Sequence, residues 1–127
     1  MPEYKNNESV INSFVIFKGV LLGIIIMLIF TVIFALFSSI LFRLEEAKLS
    51  KIFLGQNIIL LLLIGFYVAR NVERNGWLNG AIAGLIYMII LILIGTISLP
   101  LSISNIILMA VLALILGSIG GILGINL

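Results

Sequence analysis

The chain has 127 residues, of which 63% are hydrophobic and 9% charged, and its mean hydropathy is +1.40. A soluble domain carries about 25% charged residues, so this composition excludes a soluble protein and indicates an integral membrane protein. The formal net charge of +2 is too small to predict nucleic acid as a partner. Cysteine and histidine are both absent, which excludes disulfides, thiol chemistry and most transition-metal sites, and we expect no metal and no cofactor.

Four apolar segments follow a polar amino-terminal tail, residues 1–13, which we expect to be frayed. The segments cover roughly residues 19–42, 52–69, 77–96 and 105–125. Each is near the length of about 20 residues that crosses a hydrocarbon core. The first exceeds the apolar stretch of about 7–15 residues in a cleaved signal peptide, so we expect it to be retained. The sequence therefore predicts one all-α domain, residues 1–127, folded as an integral membrane four-helix bundle with short connecting loops.

The third segment begins with glycines at helical spacing. Gly76, Gly80 and Gly84 are four residues apart, so on a helix they form one stripe that lacks Cβ atoms. In lipid, such a stripe lets two helix backbones approach closely, which predicts a helix-packing surface. We place Ala83 on another part of the same helix, and we therefore expect valine to be tolerated better there than at Gly80.

The fourth segment carries small residues at steps of three and four, which would share one helical face: Ala110, Ala113, Gly117, Gly120 and Gly124. Gly117 with Gly121 forms a further small pair, and Gly19 with Gly23 forms a similar pair in the first segment. We predict that the stripe of the third segment packs inside the bundle against such small faces. The predicted helix-packing positions are Gly76, Gly80, Gly84, Gly117 and Gly121.

Two amides lie one turn inside the second segment. Gln56 and Asn57 would be costly in contact with lipid, and such groups commonly form interhelical hydrogen bonds. The alternative is that they line a polar path for a substrate or for water, together with Thr31. Structural hydrogen bonding is the favoured interpretation.

Basic and aromatic residues mark the turn between the second and third segments. Arg70 and Arg74 are placed as anchors at the membrane surface, and Trp77 as an aromatic-belt residue at headgroup depth. The alternative function for these three residues is contact with a partner protein or with anionic lipid headgroups.

The apolar segments contain no charged residue, and all five carboxylates lie in the tail or in loops. Proton-coupled transporters and pumps usually carry ionisable groups at membrane depth, so the sequence disfavours that class. The serines have no histidine to activate them. We therefore expect no enzymatic activity.

The distribution of basic residues favours an orientation with both termini in the cytoplasm. The tail and the second loop hold four of them, and the first loop holds three: Lys5, Lys18, Arg70 and Arg74 against Arg43, Lys48 and Lys51. Loops richer in lysine and arginine face the cytoplasm.

Residues 65–88, GFYVARNVERNGWLNGAIAGLIYM, carry the residues Gly76-Trp77-Leu78-Asn79-Gly80 at the start of the third segment. This stretch resembles the signature region of the YrzE-like family, a group of uncharacterised small four-span membrane proteins from Firmicutes. The resemblance implies a bacterial plasma-membrane protein with a cytoplasmic second loop. It implies no activity and no catalytic residue.

Two functional classes agree with these observations. The first is a non-enzymatic, multi-pass subunit or assembly partner of a larger membrane complex. The alternative is a small homo-oligomeric transporter, channel or lipid-handling protein. The expected partners are membrane lipids, further copies of the chain or other membrane subunits.

Overall fold

The computed structural model describes residues 10–41 and 46–127, and within these ranges it consists of four helices and short connections. They are α1 (Ser13–Leu41), α2 (Glu46–Arg70), α3 (Gly76–Ser98) and α4 (Ile103–Asn126). Each helix is long and apolar enough to cross a membrane. The prediction of an all-α, four-helix membrane bundle with short loops is confirmed.

The first two helices begin earlier than hydropathy suggested. α1 starts at Ser13 rather than residue 19, and α2 starts at Glu46 rather than residue 52. At the start of α2 the residues EAKLSK include alanine, leucine, lysine and glutamate, which are good helix formers, so this helix extends beyond its apolar run. α3 and α4 begin and end within two residues of the predicted spans. Residues 1–9 of the predicted tail and Phe42 of the first span lie outside the described residues.

The helix ends near the link between α3 and α4 have local causes. Leu99, which precedes Pro100, has extended φ and ψ angles of −143° and 134°, and α3 ends there because proline disfavours a helical residue before it. α4 then starts at Ile103, and the preceding residue Ser102 caps it by accepting a hydrogen bond from the Asn105 amide at 3.4 Å. The reversal therefore takes only residues 99–102.

The central pair of helices is α2 and α3. α4 packs along both of them, and α1 also packs on both. Within the described ranges, α1 and α4 do not contact each other. The bundle is therefore not a closed ring of four helices. α1 and α4 are separate additions to the hairpin formed by α2 and α3.

α1 is attached through its first half. Its buried residues are Ile16, Gly19, Val20 and Gly23, and from Ile24 to Ile40 none of its residues is buried. Large apolar side chains dominate the exposed part, as expected for a surface that faces lipid or another membrane protein. This unequal attachment distinguishes α1 from the other three helices.

Candidate functional site

α3 and α4 make backbone contact along the glycine stripe. A methyl group placed on Gly80 would lie 2.6 Å from the carbonyl oxygen of Gly117 and 3.1 Å from the Cα atom of Gly121. A methyl group on Gly84 would lie 2.8 Å from the carbonyl oxygen of Ala113. These distances leave no room for a Cβ atom, so each of these contacts requires glycine.

α2 joins the same contact from its carboxyl-terminal half. A methyl group on Gly65 would overlap the carbonyl oxygen of Gly117, and one on Gly120 would overlap that of Leu62. Gly124 faces the carbonyl oxygen of Phe66, 2.5 Å from the position of an added methyl group. Three backbones thus meet at a glycine junction, which we define as Gly65, Gly80, Gly117, Gly120 and Gly121.

Gly76 occupies the edge of this junction. A methyl group there would lie 2.7 Å from the Ile125 side chain and 2.8 Å from that of Ala69. It is Gly121, on the opposite helix, that lies against the backbone of Gly76. The contact at Gly76 therefore involves side chains as well as backbone.

Two expectations about the stripe need correction. Gly19 and Gly23 do not contact the stripe, because they receive the side chains of Val68 and Ile64 from α2. Ala83 is not one of the stripe glycines, but it is fully buried in the core with Tyr87. Valine at Ala83 would therefore also disturb packing, and Ala83 is unsuitable as a tolerant control. Gly55 is suitable, since an added methyl group would meet nothing within 4 Å.

A polar cluster lies where α1, α2 and α3 meet, and it consists of Gln56, Asn57, Tyr87 and the Met27 carbonyl. Tyr87 donates a hydrogen bond from its hydroxyl to the Asn57 Oδ1 atom at 3.0 Å, and Gln56 donates from Nε2 to the Met27 carbonyl at 3.4 Å. Thr31 donates to the same carbonyl at 2.8 Å. The structure thus brings together all three residues of the suggested polar path, and each of them makes a hydrogen bond.

One atom of this cluster lacks a partner. The Gln56 Oε1 atom is buried and accepts no hydrogen bond from the described part of the chain, although the residue is only 9% exposed. A buried acceptor without a donor costs about 1–3 kcal/mol. Gln56 is therefore only half satisfied at membrane depth.

The sequence interpretation did not single out Asn79, which is fully buried. Its Oδ1 atom accepts from the Asn12 amide at 2.8 Å, and its Nδ2 atom donates to the carbonyl oxygens of Val10 and Asn75, both at 3.0 Å. The side chain thus fastens the segment before α1 to the start of α3. The expectation of a frayed tail is wrong for residues 10–12. The signal available in the sequence was a polar residue, Asn79, next to Gly80 and near the start of the third apolar segment.

The turn between α2 and α3 holds the predicted surface residues. Arg70 lies over the Phe66 ring, with its guanidinium carbon 5.6 Å from the ring centroid. Arg70 and Arg74 line one side of a cavity of about 330 Å³, together with Glu73. Trp77 does not line this cavity and is about half exposed. The structure therefore brings the two arginines together and leaves the tryptophan apart.

The chemistry available in residues 10–41 and 46–127 is limited to hydrogen bonding and charge at the surface. No group of three His, Cys, Asp or Glu side chains in these ranges is arranged to hold a metal ion. The arrangement can pack helices, bind a hydrogen-bond donor at Gln56, or attract an anion at Arg70 and Arg74.

Comparison with known proteins gives a family and no activity. The chain matches the family described as Protein of unknown function (DUF3792) over residues 12–124, which include all four helices almost entirely. The comparisons with curated proteins and with solved structures found no match. The chain therefore belongs to the DUF3792 family of uncharacterised proteins.

Proposed function

We propose that this chain is a non-enzymatic subunit or assembly partner of a larger complex in the bacterial plasma membrane, with both termini in the cytoplasm. We further propose that it is one of the YrzE-like proteins of Firmicutes. In this proposal α2, α3 and α4 form a rigid unit, and α1 presents the surface that contacts the neighbouring subunit.

The observation that carries the proposal is the unequal packing of α1. Within an 18-residue apolar window of each span, only 11% of the residues of α1 are buried, compared with 39% for α2 and for α3 and 22% for α4. Helix association in lipid depends on van der Waals contact, which the second half of α1 largely lacks inside this chain. A helix from another subunit would supply that contact.

The exposed half of α1 carries aromatic rings suited to such packing. Phe30 and Phe34 stack with their centroids 6.2 Å apart, and Phe34 meets the edge of Phe53 on α2 at 5.7 Å. Phe37 extends further along α1 and is 59% exposed. Rings that are already fixed lose little side-chain entropy when a partner packs on them.

A photo-crosslinking experiment in native membranes tests this proposal. Benzoylphenylalanine replaces Phe37 on α1 or, as the control, Leu108 on α4. The two side chains are 59% and 58% exposed and lie at similar distances from the corresponding helix ends. We expect one discrete protein adduct from position 37 and none from position 108. The same protein should copurify with the unmodified chain in mild detergent at a fixed stoichiometry.

The proposal fails if both positions yield lipid adducts alone, or if positions 37 and 108 yield the same mixture of proteins. An adduct of twice the mass of the chain would favour the second candidate instead.

The second candidate is a homo-oligomeric transporter, channel or lipid-handling protein. The unpaired Gln56 Oε1 atom supports it, because an acceptor without a partner at membrane depth can bind a passing donor. Gln56→Leu separates the two candidates. A path would lose solute flux while the fold persists, whereas an assembly partner would retain its copurifying protein.

A further inference from the structure

A groove of about 410 Å³ runs between α1 and α2 on the surface of the bundle. Its walls are Leu22 and Ile26 from α1 and Leu63, Phe66 and Tyr67 from α2. Arg70, from the last turn of α2, and Asn71, which follows it, also line the groove. The groove is thus apolar along its length and cationic at the end that reaches the membrane surface.

A second basic residue, Lys18, lies on α1 outside the lining of this groove. Lys18 precedes Leu22 and Ile26 by four and eight residues, so the three side chains share one face of α1. The Lys18 ammonium lies 4.5 Å from the centroid of the Phe14 ring, towards the start of the helix. α1 starts where α2 ends, so Lys18 and Arg70 belong to the same side of the membrane.

The charge at this end is not neutralised inside the groove. None of the described residues that line the groove is acidic; Glu73 lines the neighbouring cavity, which Arg70 and Arg74 also line. A third groove, between α1 and α3, has about 520 Å³ and no lysine or arginine among its described lining residues. The α1–α2 groove therefore differs from its neighbour by combining an apolar length with a cationic end.

The apolar walls and the cationic end together favour a lipid as the occupant. Neighbouring helices pack with their axes about 8–10 Å apart. A further helix, about 10–12 Å across with its side chains, would lie over such a groove as α4 lies on α2 and α3, whereas the space between two helices is narrow enough for a single acyl chain. An acyl chain is much thinner and is chemically matched to leucine, isoleucine and phenylalanine walls.

We propose that the α1–α2 groove binds an anionic phospholipid, with one acyl chain between the helices and the phosphate between Lys18 and Arg70. The guanidinium can donate two parallel hydrogen bonds to phosphate oxygens, and the lysine contributes a compact positive charge. The Phe66 ring beneath Arg70 holds the guanidinium at the mouth of the groove. This proposal is independent of the assembly role and holds for either candidate function.

Native mass spectrometry of the purified full chain tests the site, with phosphatidylglycerol and phosphatidylcholine as the two probes. We expect the wild-type chain to retain phosphatidylglycerol in preference to phosphatidylcholine. A basic residue near an anionic surface contributes about 1 kcal/mol, so Lys18→Gln and Arg70→Gln should each reduce that preference about fivefold. Arg74→Gln is the matched control, since it removes the same charge from the same turn without touching the groove.

Two further measurements separate a lipid site from a simple anion site. Leu63→Trp should fill the groove and reduce retention of both lipids while Lys18 and Arg70 are intact, and far-ultraviolet circular dichroism should show an unchanged helix content. Inorganic phosphate at millimolar concentration should fail to displace phosphatidylglycerol.

The proposal is wrong if the wild-type chain retains both lipids equally, or if Arg74→Gln reduces the preference as much as Arg70→Gln. It is also wrong if Leu63→Trp leaves lipid retention unchanged, or if free phosphate displaces the lipid.

Discussion

Replacing Gly80 with alanine tests the glycine junction at its centre. The added methyl group would lie 2.6 Å from the Gly117 carbonyl oxygen, 3.1 Å from the Gly121 Cα atom and 3.2 Å from the Gly65 Cα atom. All three neighbours are backbone atoms, so no side chain can rotate away. Restoring ordinary contact requires α3 and α4 to separate by about 0.8 Å, and a gap of that size removes a quarter to a half of the dispersion energy of the contacts it opens.

We therefore expect Gly80→Ala to lower the free energy of unfolding by about 1–3 kcal/mol, the usual cost of overpacking. Gly55→Ala introduces the same group on α2 into open space, so it should not destabilise the fold and should instead add about 0.5–1 kcal/mol from the higher helix propensity of alanine. Reversible unfolding in mixed micelles of detergent and dodecyl sulfate, followed by circular dichroism, measures both. Equal effects of the two variants would show that α3 and α4 are not in backbone contact. A Gly80→Ala variant that keeps monomer stability but changes oligomer size would place the stripe between subunits.

Three further predictions concern polar groups and topology. Tyr87→Phe removes the hydrogen bond to Asn57 and should cost about 0.6 kcal/mol, the average for such bonds in a membrane protein, in the same unfolding assay. Asn79→Leu should cost more, about 1–3 kcal/mol, because it removes the part-buried hydrogen bonds to the Asn12 amide and the Val10 carbonyl together, and the Asn12 amide should exchange hydrogen faster. Reporter fusions at Leu127 and near Asn75 should both report the cytoplasm.

Each of these predictions has its own control. Tyr67→Phe alters a tyrosine on α2 for which the described residues show no hydroxyl hydrogen bond, so an equal loss there would contradict the role of Tyr87. Asn126→Leu removes an exposed amide that donates to the Ile122 carbonyl, and it should not change exchange at Asn12. A fusion near Ala47 should report the opposite side, and two lysines added beside it should give mixed orientation, because the charge bias is small.

The number of helices follows from the sequence because apolar length alone decides whether a segment can cross lipid. The close approach at Gly80 also follows from it, since glycines four residues apart form a continuous surface without Cβ atoms. The sequence does not, however, determine which helix packs against that surface. Gly19–Gly23 and Gly117–Gly121 offered the same pattern, and only the shape of the whole bundle decides that Val68 and Ile64 fill the first pair.

Asn79 and Tyr87 show why the polar contacts were harder to predict. Asn79 bonds with Val10 and Asn12, almost 70 residues away along the chain, and no local spacing encodes that contact. The residues around Tyr87 are those of an ordinary apolar helix and do not indicate a polar partner. Its hydrogen bond to Asn57 depends on how α3 is rotated against α2. The groove at Lys18 and Arg70 likewise arises from the pairing of α1 with α2 rather than from either helix alone.

The order of the helices along the chain gives the glycine junction a consequence for biosynthesis. α2 and α3 leave the ribosome before α4. The hairpin therefore enters the membrane before Gly65, Gly80 and Gly84 have the backbone of α4 to pack against, and this trough on the hairpin is exposed to lipid. Membrane helices insert first and associate afterwards, so α4 can fill the trough only once its own segment has been inserted. We expect this nascent intermediate to be the species that membrane quality-control proteases recognise, and chains stalled before α4 to be degraded fastest.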